Sequence, residues 1–171
     1  KPPHLRGIGM VFQNYALFPH MTVEQNVGYP QRLRGVSKSE TTKTVDEALS
    51  TVKLEGLGHR RVDELSGGQR QRLAIARALI RHPEIYLFDD SFSALDLTTD
   101  AQLRAALKPL AQNAVVLVVA QRVSTIRDAD QILVLEDGEC VGLGTHDELI
   151  ATCPTYQEIV DSQAAVNGDE S

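Results

Sequence analysis

Hydrophobic and polar positions follow two different periods along this chain. "GIGMVF" (Gly7 to Phe12) is a short apolar run and predicts a strand. "NYALFPHMT" is a loop, and Thr22 with Gln25 forms a capping box that opens a helix. "GYPQRLRGVSKSE", punctuated by Gly28, Pro30 and Gly35, reads as irregular. From Ser39 to about Lys53, Val45, Ala48, Leu49 and Val52 recur at i, i+3, i+4 and i+7, which predicts an amphipathic helix. "LEGLGHRRVDE" is a loop, and a further helix is expected from about Gln69 to Arg81.

After His82-Pro83 the period changes. "IYLF" (Ile85 to Phe88) and "AVVLVVA" (Ala114 to Ala120) are wholly apolar, and "LTTDAQLRAALKPLA" between them is a helix broken near Pro109. "QILVLE" (Gln131 to Glu136) is a third strand, followed by an Asp137-Gly138 turn and a short return strand through Val141. "THDE" (Thr145 to Glu148) is another capping box. Strands apolar on both faces and separated by helices predict an α/β fold with a mostly parallel sheet and helices on both faces.

Composition narrows the class. The chain has 171 residues, 42% of them apolar and 23% charged, as in a soluble globular domain. A net charge of -6 argues against nucleic acid as a partner. Cys140 and Cys153 lack metal-ligand spacing and suggest a reducing compartment. His4, His20, His59, His82 and His146 are scattered without ligand spacing. No apolar run is long enough to span a bilayer. The chain starts at Lys1 rather than Met and enters an apolar run at once, so it reads as a piece of something longer. Its tail, residues 164–171, is expected to fray.

Chemistry concentrates in two places. In "LSGGQRQR", Ser66 is a good N-cap, and Gly67 and Gly68 let another group approach the backbone. The following helix aims its free N–H groups and positive dipole end at that point, which suits phosphate. By itself this is a capped helix after a glycine turn. Downstream, "IYLFDD" ends an apolar strand in two acids, Asp89 and Asp90. The carboxyl edge of a parallel sheet is where ligands bind, and an acid there can hold Mg²⁺ on a nucleotide phosphate. Alone, this too could be a pair of solvated acids.

"LSGGQ" (Leu65 to Gln69), "IYLFDD" and "SALD" (Ser93 to Asp96), in this order, resemble the motifs of ABC-type ATPase subunits. The resemblance covers about Arg6 to Gln163. It implies a phosphate-loop NTPase-like core, residues 1–21 and 65–163, and a helical subdomain at about 22–64 that touches membrane helices. Gln13 in "MVFQ" matches the Q-loop glutamine, which reaches Mg²⁺ and the attacking water. Ser66, Gly67, Gly68 and Gln69 match the signature that grips a nucleotide held by the opposite subunit. Asp89 matches the Walker B aspartate and binds the metal. Asp90 stands where the family usually has a glutamate general base, and Gln121 where it usually has the switch histidine. Asp96 matches the D-loop aspartate.

The resemblance further implies ATP and Mg²⁺ as cofactors. It implies a second nucleotide-binding domain and transmembrane helices as partners, and a place on the cytoplasmic face of the cell membrane. "VFQNYALFPHMTVEQNV" looks like importer ATPases, whereas "DDSFSALDLTTDAQLRAAL" and "GLGTHDELI" look like one half of an exporter.

The departures from the family pattern set further expectations. No G-x-x-x-x-G-K-[ST] occurs, so the chain by itself is expected to hydrolyse ATP negligibly. Asp90 is one methylene shorter than Glu, roughly 1.5 Å of reach, and a misplacement of about 1 Å can lower a rate on the order of a hundredfold. Gln121 cannot carry a proton's charge as His does. These two residues raise the alternative of a non-catalytic, nucleotide-sensing half of an asymmetric exporter. A soluble DNA-repair-type relative is disfavoured, because no long heptad coiled coil is visible.

The blander expectations complete the reading. Tyr15 and Phe18 are expected to pack the subdomain rather than stack on a base. Arg70, Arg72, Arg77 and Arg81 are expected mostly on the solvated side of the signature helix. Ser66→Arg is expected to leave folding almost unchanged.

Overall fold

The computed structural model describes residues 7–91, 97–109 and 113–168. Its residues fall into two units, the first ending at Val119 and the second starting at Ala120. The predicted helical stretch at 22–64 shares a unit with the sheet, because its buried side chains and those of the signature helix form one continuous core.

In the first unit, β1 (Ile8–Val11) leads through a loop to α1 (Val23–Leu33). Thr22 caps α1 with the predicted capping box. The first-turn N–H groups of Val23 and Glu24 donate to the carbonyls of Arg60 and Gly58, so the loop before the signature helix satisfies that end. The segment read as irregular is helical as far as Leu33, with Pro30 inside the helix. Proline removes one intrahelical bond, but tertiary packing overrides it. Val23, Asn26, Val27 and Gly28 are all buried, and a Cβ at Gly28 would stand 3.0 Å from Thr41 Cγ2 and 3.2 Å from Val45 Cγ2.

Those two residues lie on α2 (Lys38–Thr51), where the predicted stripe of Val45, Ala48 and Leu49 is buried, as is Val52 just beyond. A 3₁₀ turn (Val62–Glu64) then leads into α3 (Gly67–Leu79), which buries Leu73, Ala74, Ile75 and Ala76 almost completely. Each large apolar side chain so buried contributes about 1.5–3 kcal/mol.

Next come β2 (Ile85–Asp89), α4 (Leu97–Leu107) and β3 (Val115–Val119). β1, β2 and β3 form a parallel sheet in that order, as the apolar runs predict. The register places Val11 beside Phe88 and Asp89 beside Val119, so β2 and β3 end together. Tyr86 and Phe88 share one face, buried with α3 in the core, their rings 6.1 Å apart and nearly parallel. On the opposite row Val115 and Leu117 are 65% and 57% exposed.

The second unit starts with the short α5 (Val123–Ile126), followed by β4 (Ile132–Glu136) and β5 (Glu139–Gly144). The predicted Asp-Gly hairpin is present, with φ of 49° at Asp137 and 84° at Gly138. Positive φ at both central residues is what a tight two-residue hairpin turn requires. The hairpin corrects one expectation. β4 pairs antiparallel with β5 in a separate two-stranded sheet instead of extending the parallel one. The return strand also runs beyond Val141, to Gly144.

α6 (His146–Thr152) carries the predicted Thr145–Glu148 capping box, and α7 (Pro154–Gly168) follows. Residues 164–168 are therefore helical rather than frayed. Pro154 at the first helical position starts this helix in a conformation that suits it, and Tyr156 anchors it in the unit's core beside Ile132, Val134, Leu149 and Cys153. Among the described residues, no helix is long and apolar enough to cross a membrane.

Candidate functional site

Ser66 is the N-cap of α3, and its hydroxyl accepts from the Gln69 N–H at 3.2 Å. The Gln69 side-chain oxygen accepts from the Ser66 N–H at 2.9 Å, which closes a reciprocal box. Ser66 and Gly67 are exposed, and Gly68 and Gln69 half-buried. A Cβ at Gly67 would meet nothing within 4 Å. That glycine is therefore not demanded by packing inside this chain, and the space before the helix is open to a group from outside. Ser66 thus caps the helix as its sequence position predicts, and loss of an N-cap serine costs about 1 kcal/mol of helix stability.

The acids sit as the strand pattern predicts. Asp89 is the last residue of β2 and half-buried. Asp90 follows at φ 45° and donates its N–H to the Val119 carbonyl at 2.9 Å. A non-glycine residue in this left-handed region is strained by roughly 1–3 kcal/mol. Ser91 is fully buried, and its hydroxyl bonds the Val11 carbonyl at 2.9 Å and the Asp89 carbonyl at 3.2 Å. It therefore ties the end of β2 to the end of β1. Gln13 lies two residues past Val11, exposed in a turn, with no hydrogen-bond partner among the described residues. Gln13, Asp89 and Asp90 thus follow the carboxyl ends of adjacent parallel strands. A carboxylate pair and a side-chain amide are hard oxygen donors of the kind that suits Mg²⁺.

The turn after Gln13 is strained. Tyr15 and Ala16 have φ of 65° and 45° in succession. The Ala16 N–H donates to the Asn14 carbonyl at 2.8 Å, closing a γ-turn of the rare positive-φ kind about Tyr15. Two side chains hold it. Arg77 Nη1 donates to the Ala16 carbonyl at 2.7 Å and Nη2 to the Tyr15 carbonyl at 3.1 Å. Its guanidinium lies 5.3 Å from the centre of the Phe18 ring. Asn26, fully buried, accepts from the Phe18 N–H at 2.9 Å and donates to the Phe18 and Thr22 carbonyls, each at 3.1 Å. Phe18 packs on Tyr29 at 4.8 Å, so Tyr15 and Phe18 serve packing here, as expected.

The arginines correct the sequence reading. Arg77 is half-buried, and burial draws its guanidinium below the ordinary arginine value. Arg72 donates to the Val52 and Lys53 carbonyls at 3.2 and 2.9 Å, and Arg70 to the Leu65 carbonyl at 3.0 Å. Burial, with the nearby Arg34 charge, likewise lowers Arg81. Their long stems let the guanidinium heads reach backbone carbonyls while the helix buries its apolar side. The signal was present in the sequence. Arg77 follows Leu73 by four positions and therefore shares its helix face.

Gln121 lies in the second unit, exposed, two residues after the end of β3. Its carbonyl accepts from Gln163 Nε2 at 2.7 Å, and Gln163 Oε1 accepts from the Val123 N–H at 2.9 Å. One α7 side chain thus fixes both sides of the Gln121 turn, which sequence reasoning missed. Asp96 lies outside the described residues.

Comparison with known proteins bears on the same motifs. The sequence profile described as "ABC transporter" matches residues 2–93. The chain is 42% identical over 151 residues to the sulfoquinovosyl glycerol transport ATP-binding protein SmoE of Agrobacterium fabrum, covering 86% of this chain and 42% of that protein. It is 45% identical over 163 residues to an uncharacterised ABC transporter ATP-binding protein of Mycobacterium bovis, covering 92% of this chain and 28% of that one. The chain thus spans less than half the length of these curated relatives. A bacterial Atm1-family ABC exporter with ATP bound superposes with a TM-score of 0.82 at 32% identity, over 93% of this chain and 28% of that one. A dimeric ATP-binding cassette in a post-hydrolysis state, bound to ADP and Pi, gives 0.77 at 35% identity, over 81% of this chain and 62% of that one. With the profile match, the motif order and the parallel α/β sheet in agreement, the chain belongs to the ABC transporter family, as an ATP-binding domain.

Proposed function

We propose that this chain is part of the ATP-binding and ATP-hydrolysing subunit of an ABC transporter, acting at the cytoplasmic face of a membrane through a transmembrane partner. The observation that carries this reading is the register of the parallel sheet. It leaves Asp89 at the carboxyl end of β2, with Gln13 and Asp90 just beyond the ends of the neighbouring strands, where α/β folds bind ligands. Asp89 and Gln13 would hold Mg²⁺, which when bound neutralises charge on the nucleotide phosphates. Asp90 would accept the proton of the attacking water, and Gln121 would orient the reacting groups by hydrogen bonding. Ser66, Gly67, Gly68 and Gln69 would meet the phosphate of a nucleotide carried by a second such domain, with Asp96 alongside. The open space at Gly67 and the free N–H groups at the start of α3 support that role.

A helix N-terminus attracts an exposed anion by only about 0.3–1 kcal/mol, far less than the roughly 8 kcal/mol of micromolar affinity. The signature therefore acts only on a nucleotide already held by the partner domain. The test uses the complete subunit with its transporter. Asp90→Asn is expected to lower ATP turnover about a hundredfold or more, the usual contribution of a general base, while ATP still drives association of the two domains. Ser66→Arg is expected to abolish that association. Unchanged turnover in Asp90→Asn would remove Asp90 from the chemistry, and intact association in Ser66→Arg would leave the serine only a helix cap.

A further inference from the structure

Arg77 makes a bidentate contact with two adjacent backbone carbonyls, those of Tyr15 and Ala16, sixty-two and sixty-one residues away in sequence. Both residues have positive φ, a shape that side-chain-bearing residues keep only when their surroundings impose it. Within the loop the turn has two short-range bonds, Tyr15 N–H to the Phe12 carbonyl and Ala16 N–H to the Asn14 carbonyl. What distinguishes it from a relaxed loop is the guanidinium fork, reinforced by the Phe18 ring under the same cation. Gln13 lies inside the span from Phe12 to Tyr15 that this turn closes. At the other end, Arg77 and Ser66 stand on one helix without an internal proline, eleven positions apart. At 1.5 Å per residue that is a stiff span of about 16 Å.

We infer that Arg77 is a positioning residue for Gln13, tying the Gln13 turn to the signature helix so that a shift at Ser66–Gln69 is passed to the loop. The inference rests on the functional reading above for what Gln13 does, but the tie itself is independent of that reading. Lysine is no equivalent here. Its single ammonium can satisfy one carbonyl, but it lacks the planar fork that spans two with fixed geometry. The tie would make occupancy of the signature and placement of Gln13 two readouts of one rigid element. Coupling of this kind requires a contiguous packed path, and Ser66, α3, Arg77 and the Tyr15–Ala16 carbonyls provide one.

The experiment compares Arg77→Met and Arg77→Lys in the complete ATP-binding subunit, assembled with its transporter. Hydrogen exchange is followed at the Tyr15 and Ala16 amides and at the Leu73–Ala76 amides of α3. Arg77→Met is expected to speed exchange at Tyr15 and Ala16 about tenfold or more, as local opening of a loop relieved of its tie, and to leave the α3 amides protected. Arg77→Lys should fall between wild type and Met. ATP turnover should show kcat lowered about tenfold with KM nearly unchanged, and the loss should not multiply with that of Gln13→Ala, since both act through one group. Unchanged exchange at Tyr15 and Ala16 in Arg77→Met would overturn the inference. So would loss of α3 protection in both variants, because Arg77 would then hold the fold as a whole, or losses that multiply with Gln13→Ala. If Gln13→Ala leaves turnover at the wild-type rate, the functional reading of Gln13 fails, and the exchange result still decides the tie.

Discussion

The two segments proposed to meet nucleotide, Ser66–Gln69 and Gln13–Ala16, are built in opposite ways. At Ser66–Gln69 the bonds that shape the segment are made by residues three or four positions apart, and no residue from Ser66 to Gln69 has positive φ. At Gln13–Ala16 two consecutive residues are left-handed, and the side chain that holds them comes from α3, about sixty residues along the chain. The first segment takes its shape from bonds within itself. The second exists only because the rest of the unit imposes it. A locally determined segment suits a surface that waits for an external partner. A remotely determined one suits a group whose position must follow the state of the domain.

The strongest way to break this contrast is to remove the buried support of the strained loop. Asn26→Ala deletes three hydrogen bonds and strands the Phe18 N–H, while the Phe18 carbonyl keeps only the Met21 N–H. It should destabilise the first unit by about 3 kcal/mol, at about 1 kcal/mol per bond, measured by urea unfolding. A loss below about 1 kcal/mol would mean the loop does not depend on that anchor. Ser91→Ala comes next. It removes a buried side-chain bond that joins the ends of β1 and β2, with an expected loss of about 1–2 kcal/mol by the same measurement.

The local segment should respond less. Ser66→Ala is expected to lower stability by about 1 kcal/mol and Ser66→Gly by only a few tenths, and a loss as large as that of Asn26→Ala would contradict the local account. The smallest effects have the most telling signs. Ala16→Gly relieves a positive φ, whereas Gly67→Ala fills open space at a helix start. Each should stabilise by about 0.5 kcal/mol in thermal unfolding. Destabilisation by Ala16→Gly would show that its φ carries no strain.

Much of this was legible in the sequence. Thr22–Gln25 and Thr145–Glu148 predict two capping boxes and Ser66 a helix cap, and all three are present. The apolar runs at Ile85 and Ala114 predict neighbouring parallel strands, and the register confirms them. The reading went astray where a distant contact outweighs a local preference. Pro30 stays helical because Gly28 lets α1 close on α2. The arginines of α3 turn inward because backbone carbonyls lie within reach of their long stems.

The sequence by itself determined which residues can do phosphate chemistry and in what order they occur, because motif spacing, caps and strand periods are set by neighbours within a few positions. It also determined the start of α3 and the acids at the end of β2. The tertiary structure alone decided that Arg77, Asn26 and Ser91 hold the Gln13 turn and the strand ends, and that Gln163 fixes the turn at Gln121. Those bonds join residues 8 to 80 positions apart. A pairing at that distance leaves no periodic mark in the chain, and it forms only after the core has brought the partners together.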